Sequence, residues 1–183
     1  MIMVITVTGK DRPGIISSLT EVLYRSQGNL EDASMTILEG EFAMIFLAEL
    51  KNRSLHTKFR QELKKLEKKL NLVIFIKEIK HRVTRGEKHR PGTIPWVVSV
   101  LGKDKAGIVY RVSKLLADSG LNITDLNSKI IGRGIKTTYV LILEVDIPRK
   151  NIHLISQLKR KFKTIEKKLG LTVAFNPLES SRF

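Results

Sequence analysis

Apolar positions along the chain follow two rhythms, a strand-like run and a helical period, and the order in which they alternate occurs twice. Ile2 to Thr8 is a β-branched run of strand character, followed by Ile15, Ile16, Leu19, Val22 and Leu23 on one face of a 3.6-residue period. Gly28 stops that helix, and Asn29-Leu30-Glu31-Asp32-Ala33 opens a second strand that continues to about Leu38. Glu39-Gly40-Glu41 reads as a short turn, so Phe42 to Leu50 is expected to return antiparallel as a hairpin. A second helix is expected from about Leu55 to Leu70, burying Phe59, Leu63, Leu66 and Leu70 in one stripe. Asn71 ends it, and Leu72 to Ile79 supplies a fourth strand. The predicted order is βαββαβ.

From Lys80 to Pro95 the hydrophobic pattern vanishes, and the stretch is rich in basic residues, Gly and Pro. The order then repeats, with a strand from Ile94 to Leu101, a helix carrying Ile108, Val109, Val112, Leu115 and Leu116, and a stop at Gly120. Those five apolar positions match the first copy one for one at an offset of 93. Ile155, Leu158, Phe162, Ile165 and Leu169 repeat the second buried stripe, where the offset has grown to 99. Six residues are therefore inserted between the second strand and the second helix of the second copy. We expect two domains, residues 1–80 and 94–183, joined by a basic linker at 81–93. A βαββαβ unit folds with two helices on one face of a four-stranded antiparallel sheet, its first and third strands central. This is the ferredoxin-like α+β arrangement.

The chemistry-bearing stretch is the joint between first strand and first helix. Gly9-Lys10-Asp11-Arg12-Pro13-Gly14-Ile15 returns as Gly102-Lys103-Asp104-Lys105-Ala106-Gly107-Ile108. The first glycine of each lets the chain bend, Asp11 or Asp104 can accept from free helical N–H groups, and Gly14 or Gly107 leaves backbone exposed. Such a turn suits a carboxylate or phosphate. The plainer reading is that the aspartate caps the helix and the glycine turns the chain. Its recurrence with matching downstream residues favours a ligand.

Composition narrows the field. The chain has 183 residues and no cysteine, which removes disulfides, thiolate metal sites and cysteine nucleophiles. The four histidines, His56, His81, His89 and His153, lie near the second helices or in the linker, away from both glycine loops. None accompanies a nucleophile or shows metal-ligand spacing, so neither an enzyme nor a cofactor is expected. No apolar run approaches the ~18 residues of a membrane span, and a cytoplasmic protein is expected. With 33 Lys plus Arg against 18 Asp plus Glu, the net charge is +15. The alternative to a ligand-binding regulator is therefore a basic RNA- or DNA-binding protein on the same fold. The charge concentrates at Lys58–Lys69, in the linker and at Lys159–Lys168, interleaved with Glu62, Glu67 and Glu166, which reads as solvated helix faces. An RNA-binding sheet would need aromatics on the outer face of the third strand; Phe42 and Phe46 are candidates, and we read them as core instead.

The pattern Asp-x-Pro-Gly-Ile at the end of the first strand, with Asn-Leu/Ile-x-Asp opening the second, resembles the ACT domain, a small regulatory module that binds amino acids. The fifteen residues from Gly14 to Asn29 recur from Gly107 to Asn122. A pair of such domains without a catalytic domain is most similar to the glycine cleavage system transcriptional repressor group. The resemblance implies a small amino acid, glycine or serine first, bound by Asp11 and Asn29 and by Asp104 and Asn122. Backbone from Gly9, Gly14, Gly102 and Gly107 would contribute. An aspartate suits the ligand's ammonium, and helix N–H groups with an asparagine amide suit its carboxylate. Each asparagine has an equally good reading as a residue tolerant of turn geometry. Ala106 stands where the first copy has Pro13, which loosens that loop. The resemblance further implies pairing of edge strands between units or with a second chain, a homodimer, and a regulatory protein partner, with transcription as one regulated process.

Overall fold

A computed structural model describes residues 2–79, 88–132, 134 and 137–178. The chain divides into two compact units, 1–86 and 87–183. The first contains β1 (Ile2–Lys10), α1 (Ile15–Arg25), β2 (Asn29–Leu38), β3 (Glu41–Glu49), α2 (Arg53–Leu70) and β4 (Val73–Ile79). The second contains β5 (Thr93–Gly102), α3 (Ile108–Asp118), β6 (Asn122–Ile131), β7 (Thr138–Pro148), α4 (Leu154–Leu169) and β8 (Leu171–Pro177), with a 3-10 turn at Arg149–Asn151. Residues 81–87 of the expected linker lie outside the described residues.

Each unit is a four-stranded antiparallel sheet, ordered β2-β3-β1-β4 in one and β6-β7-β5-β8 in the other. The first and third strands of each unit are central, as the βαββαβ order requires. Alternation along β1 sends Met3, Ile5 and Val7 to the helix-covered face, where Ile15, Leu19 and Leu23 of α1 and Phe59, Leu63 and Leu66 of α2 close the core. In the second unit Trp96, Val98 and Val100 meet Ile108, Val112 and Leu116 of α3 and Leu158 and Phe162 of α4. Phe175 packs against both Phe162 and Trp96, with ring centroids 5.2 and 4.6 Å away. Phe42 and Phe46 are buried among these inward residues, in agreement with the core reading. Ile16, expected on the buried stripe, is 44% exposed, because it falls at the margin of the face that α1 turns to the sheet.

Register locates the six extra residues. Asn29 pairs with Glu49 and Asn122 with Asp146, so an offset of 93 on the second strand has become 97 on the third. The longer hairpin turn accounts for this first step, and the approach to α4 supplies the rest. Helix α2 begins earlier than expected because the Asn52 side chain accepts from the Leu55 N–H at 2.9 Å, an N-cap that fixes its first turn.

The end of each central strand lies close against the last strand. A methyl at Gly9 would sit 2.7 Å from Leu72 Cδ2 and 3.3 Å from the Asn71 carbonyl; at Gly102 it would sit 2.5 Å from Leu171 Cδ2. Both leucines are buried and cannot swing aside. Gly9→Ala and Gly102→Ala should each cost about 1–3 kcal/mol by overpacking, read as a lowered urea midpoint; unchanged midpoints would show that the joints yield.

His56 is buried on the inward side of α2, with Nε2 3.4 Å from the Glu78 carboxylate, which Arg60 also approaches at 3.3 Å. Burial, then the Arg60 charge, pushes its pKa below the ordinary histidine value, with Glu78 pulling the other way. The fold thus favours the neutral ring. Unfolded, the ring takes up a proton below about pH 6.5, so its stabilising contribution is full above that value. It is lost as the pH falls and levels off below the folded pKa. In urea titrations between about pH 7.5 and 5, His56→Gln should flatten this slope; an identical slope would assign it to other groups.

Candidate functional site

The two glycine joints have the same backbone. Gly14 and Gly107 are the N-caps of α1 and α3, with φ of 95° and 89° in the left-handed region, which glycine adopts without penalty. Neither helix has a side-chain cap. The expectation that Asp11 and Asp104 accept from the helical N–H groups is therefore corrected. The cap falls three residues later, on a residue with no side chain, and both aspartates remain exposed. Among the described residues no hydrogen bond or ion pair engages either carboxylate. The first-turn N–H groups form the positive end of the helix dipole; a methyl built on Gly14 meets nothing within 4 Å, and one on Gly107 meets Arg111 Nε at 3.9 Å. The Asp11 N–H donates to the Gly40 carbonyl at 2.8 Å, tying the first loop to the β2–β3 turn.

A cation fixes each loop from below. Arg12 Nη2 donates to the Leu70 carbonyl at the end of α2, and Lys105 Nζ donates to the Leu169 carbonyl at the end of α4 at 2.6 Å. The pairs occupy matching positions in the two copies. Each satisfies a terminal carbonyl and places positive charge at a helix C-terminus. Sequence reasoning passed over Arg12 and Lys105, although their recurrence as the one cation between aspartate and the cap was a usable signal.

The asparagines lie elsewhere. Gly9 pairs with Phe42 of β3, whereas Asn29 pairs with Glu49 at the other end of that strand. Seven residues of strand separate the two levels, roughly 23 Å at 3.3 Å per residue. In the second unit Gly102 pairs with Tyr139 and Asn122 with Asp146, the same separation. Each unit thus brings Gly9, Asp11 and Gly14, or Gly102, Asp104 and Gly107, into one loop, and sets Asn29 or Asn122 at the opposite end of the sheet. Asn29 Nδ2 donates to Glu31 Oε1 at 2.7 Å, beside a bulge between Leu30 and Asp32. An equivalent bulge lies between Ile123 and Asp125.

Comparison with known proteins decides the family. Two ACT domain models match the chain, one over residues 1–77 and one over 96–162. The chain belongs to the ACT-domain family. A UPF0237 protein of Methanopyrus kandleri is 38% identical over 74 residues, 40% of this chain and 82% of that protein. A UPF0237 protein of Pyrobaculum aerophilum is 37% identical over 78 residues, 43% of this chain and 81% of its own length. Among solved structures, an unknown protein from Galdieria sulphuraria shares the fold with a TM-score of 0.76 at 23% identity, covering 97% of this chain and 98% of its own. A structure named for the glycine cleavage system transcriptional repressor does so with 0.69 at 20% identity, covering 98% of both chains. ACT domains are regulatory modules, and this chain is a non-catalytic tandem ACT protein of the amino-acid-sensing, allosteric kind. Among the described residues no cluster of three or more His, Cys, Asp or Glu is placed to hold a metal ion, and no helix is long and apolar enough to cross a membrane.

The second ACT unit carries one further constellation, on the sheet face away from its helices. Lys88 Nζ lies 2.6 Å from Glu144 and 3.4 Å from Asp125; His89 Nδ1 lies 2.8 Å from Asp146. The Arg90 N–H donates to the same Asp146 carboxylate at 3.0 Å. Asp146 is 3% exposed, so these partners satisfy a buried carboxylate. Burial alone would push the Lys88 pKa down, but the hydrogen bond and charge of Glu144, with Asp125 adding, hold it above the usual lysine value. The cluster is compensated internally and reads as a structural clasp.

The capping geometry separates the aspartates from a true cap. Asp11→Ala and Asp104→Ala should each change unfolding free energy by less than about 0.5 kcal/mol, while Asn52→Ala should lose about 1 kcal/mol. Equal losses in chemical denaturation would return the aspartates to a capping role.

Proposed function

We propose that the chain is a cytoplasmic amino-acid sensor whose two ACT domains, 1–80 and 94–183 with a basic linker at 81–93, bind a small amino acid, glycine or serine, at the glycine joints. The observation that carries this reading is the pairing, in both copies, of an uncapped helix N-terminus with an uncommitted carboxylate a few residues before it. A free amino acid carries the complementary pair of charges. Its carboxylate accepts from the N–H groups after Gly14 or Gly107, and its ammonium meets Asp11 or Asp104.

The asparagines complete the site from another unit. A second ACT unit whose edge strand runs antiparallel to β2 brings its own Asn29 end beside the Asp11 end of the first. We assign that unit to a second copy of the chain, so the functional species is a homodimer with ligand across the junction. Ligand then favours one pairing geometry by about 1–3 kcal/mol, and a partner protein reads that geometry. Likeness to the glycine cleavage repressor group supports control of amino-acid metabolism at transcription, through protein contacts.

A thermal-shift screen against the amino acids, with nucleotides as controls, tests the reading. Glycine or serine at a hundred times its Kd should stabilise the protein by about 2.7 kcal/mol. Asp11→Ala/Asp104→Ala should abolish the shift while leaving the melting temperature of the free protein unchanged. A full shift in that double variant would remove the aspartates from the site, and no shift with any amino acid would overturn the sensor itself.

A further inference from the structure

The positive charge of the second unit is not spread evenly over its surface. Helix α4 carries Lys159, Arg160, Lys161, Lys163, Lys167 and Lys168, all exposed, and one acid, Glu166. That acid is turned inward, where Oε1 accepts from the Val173 N–H of β8 at 3.0 Å. The outer side of α4 is therefore cationic with no interleaved carboxylate. Between α3 and α4 lies a depression of about 430 Å³, lined by Tyr110, Arg111, Lys114, Asp118, Lys161 and Lys168 among others. Lys114 is committed to Asp118 at 2.9 Å. Among the described residues no carboxylate lies within ion-pair distance of Arg111, Lys161 or Lys168. Tyr110, at the rim, is 65% exposed, an aromatic ring left in water beside three unpaired cations.

From this arrangement we infer a binding site for single-stranded nucleic acid in the α3–α4 groove. Phosphates sit on Arg111, Lys161 and Lys168, and one unpaired base stacks on Tyr110. Lys161 and Lys168 are seven residues apart, two helical turns or roughly 10.5 Å, and so track a strand along the helix rather than grip one anion. The ring favours a single strand over a duplex, because only an unpaired base offers a free face. The more familiar use of this fold, bases stacked on central strands, has no support here. On the open face of the second unit the central strands present Val97, Ser99, Val140 and Ile142, and Tyr139 faces the core. The helix layer is the basic, aromatic-bearing side.

The site is tested on the full chain by fluorescence anisotropy with labelled twelve-nucleotide oligo-uridine and oligo-thymidine, titrated with salt. Both should bind. Tyr110→Ala should weaken binding roughly tenfold or more, and Tyr110→Phe should restore it. Lys161→Gln/Lys168→Gln should lower the salt slope by about 1.4, at roughly 0.7 per phosphate contact. Lys64→Gln/Lys68→Gln on α2 removes the same charge from the first unit and should leave affinity and slope unchanged. Equal weakening by both lysine pairs, with no effect of Tyr110→Ala, would reduce the binding to net charge and overturn the site. Equal competition by polyglutamate would overturn it as well.

Discussion

A four-stranded sheet with both helices on one face has a second face that its own helices do not cover. The two units treat that open face differently. In the first unit it carries Val4, Ile45, Leu47, Val73 and Phe75, of which Val73 and Phe75 are about two-thirds exposed. This apolar area forgoes roughly 25 cal/mol for every Å² it leaves in water. In the second unit the register places Glu144 where the first has Leu47 and Asp146 where it has Glu49. Once charged groups stood there, the buried carboxylate of Asp146 had to be paired, since an unpartnered one is far costlier than exposed aliphatic surface. Lys88, His89 and Arg90 supply that pairing. Both open faces keep apolar residues, Ile142 in the second unit being 43% exposed, and the second adds a clasped charged cluster at one end.

The glycine joint follows from burial on the helix-covered face. The central strand must end hard against the last strand, which leaves no room for a side chain at Gly9 or Gly102. The helix that follows must start at once to cover Met3, Ile5 and Val7 or their counterparts, which puts its N-terminus at the sheet end. A glycine cap satisfies that tight entry, but a glycine has no side chain to accept from the first N–H groups. The open anion-binding turn is therefore a by-product of packing as much as a device for ligand. What turns it toward chemistry is the aspartate, which neither capping nor packing requires. Arg12 and Lys105 tie the loop to the C-terminal ends of α2 and α4, so the aspartate is presented from an anchored backbone.

The fold was legible because period and repetition spoke together. Ile15, Leu19 and Leu23 and their counterparts 93 residues on could belong only to a buried helix face, and the paired β-branched runs only to strands. The site was legible in composition but not in assembly. The sequence places Gly14 and Asn29 fifteen residues apart, yet α1 carries the chain back along the sheet, so that β2 starts at the far end and a short separation in sequence becomes the length of a strand. The capping role expected of Asp11 failed because the cap position depends on φ at Gly14, which residue spacing does not report. Glu67 and Glu166 were read as solvated interleaving. Their carboxylates instead accept from Ile74 and Val173 N–H groups seven residues on, and a helical pattern cannot reveal a bond that reaches past its own end.

That inward turn of two glutamates changes what the net charge means. On paper α2 and α4 look partly neutralised, since each carries acids among its lysines. In the fold, Glu67 and Glu166 are used to pin the edge strands β4 and β8, and a carboxylate turned toward the sheet is poorly placed to neutralise cations on the outer helix surface. On α2 the remaining Glu62 still answers Lys65 at 2.6 Å. On α4 no such acid remains, so the second helices of the two copies present different charge on their outer sides. Backbone agreement with side-chain divergence is what a duplicated scaffold shows when its copies have separate tasks. The cationic groove of the second unit is then a property of that copy, superimposed on a fold that both share.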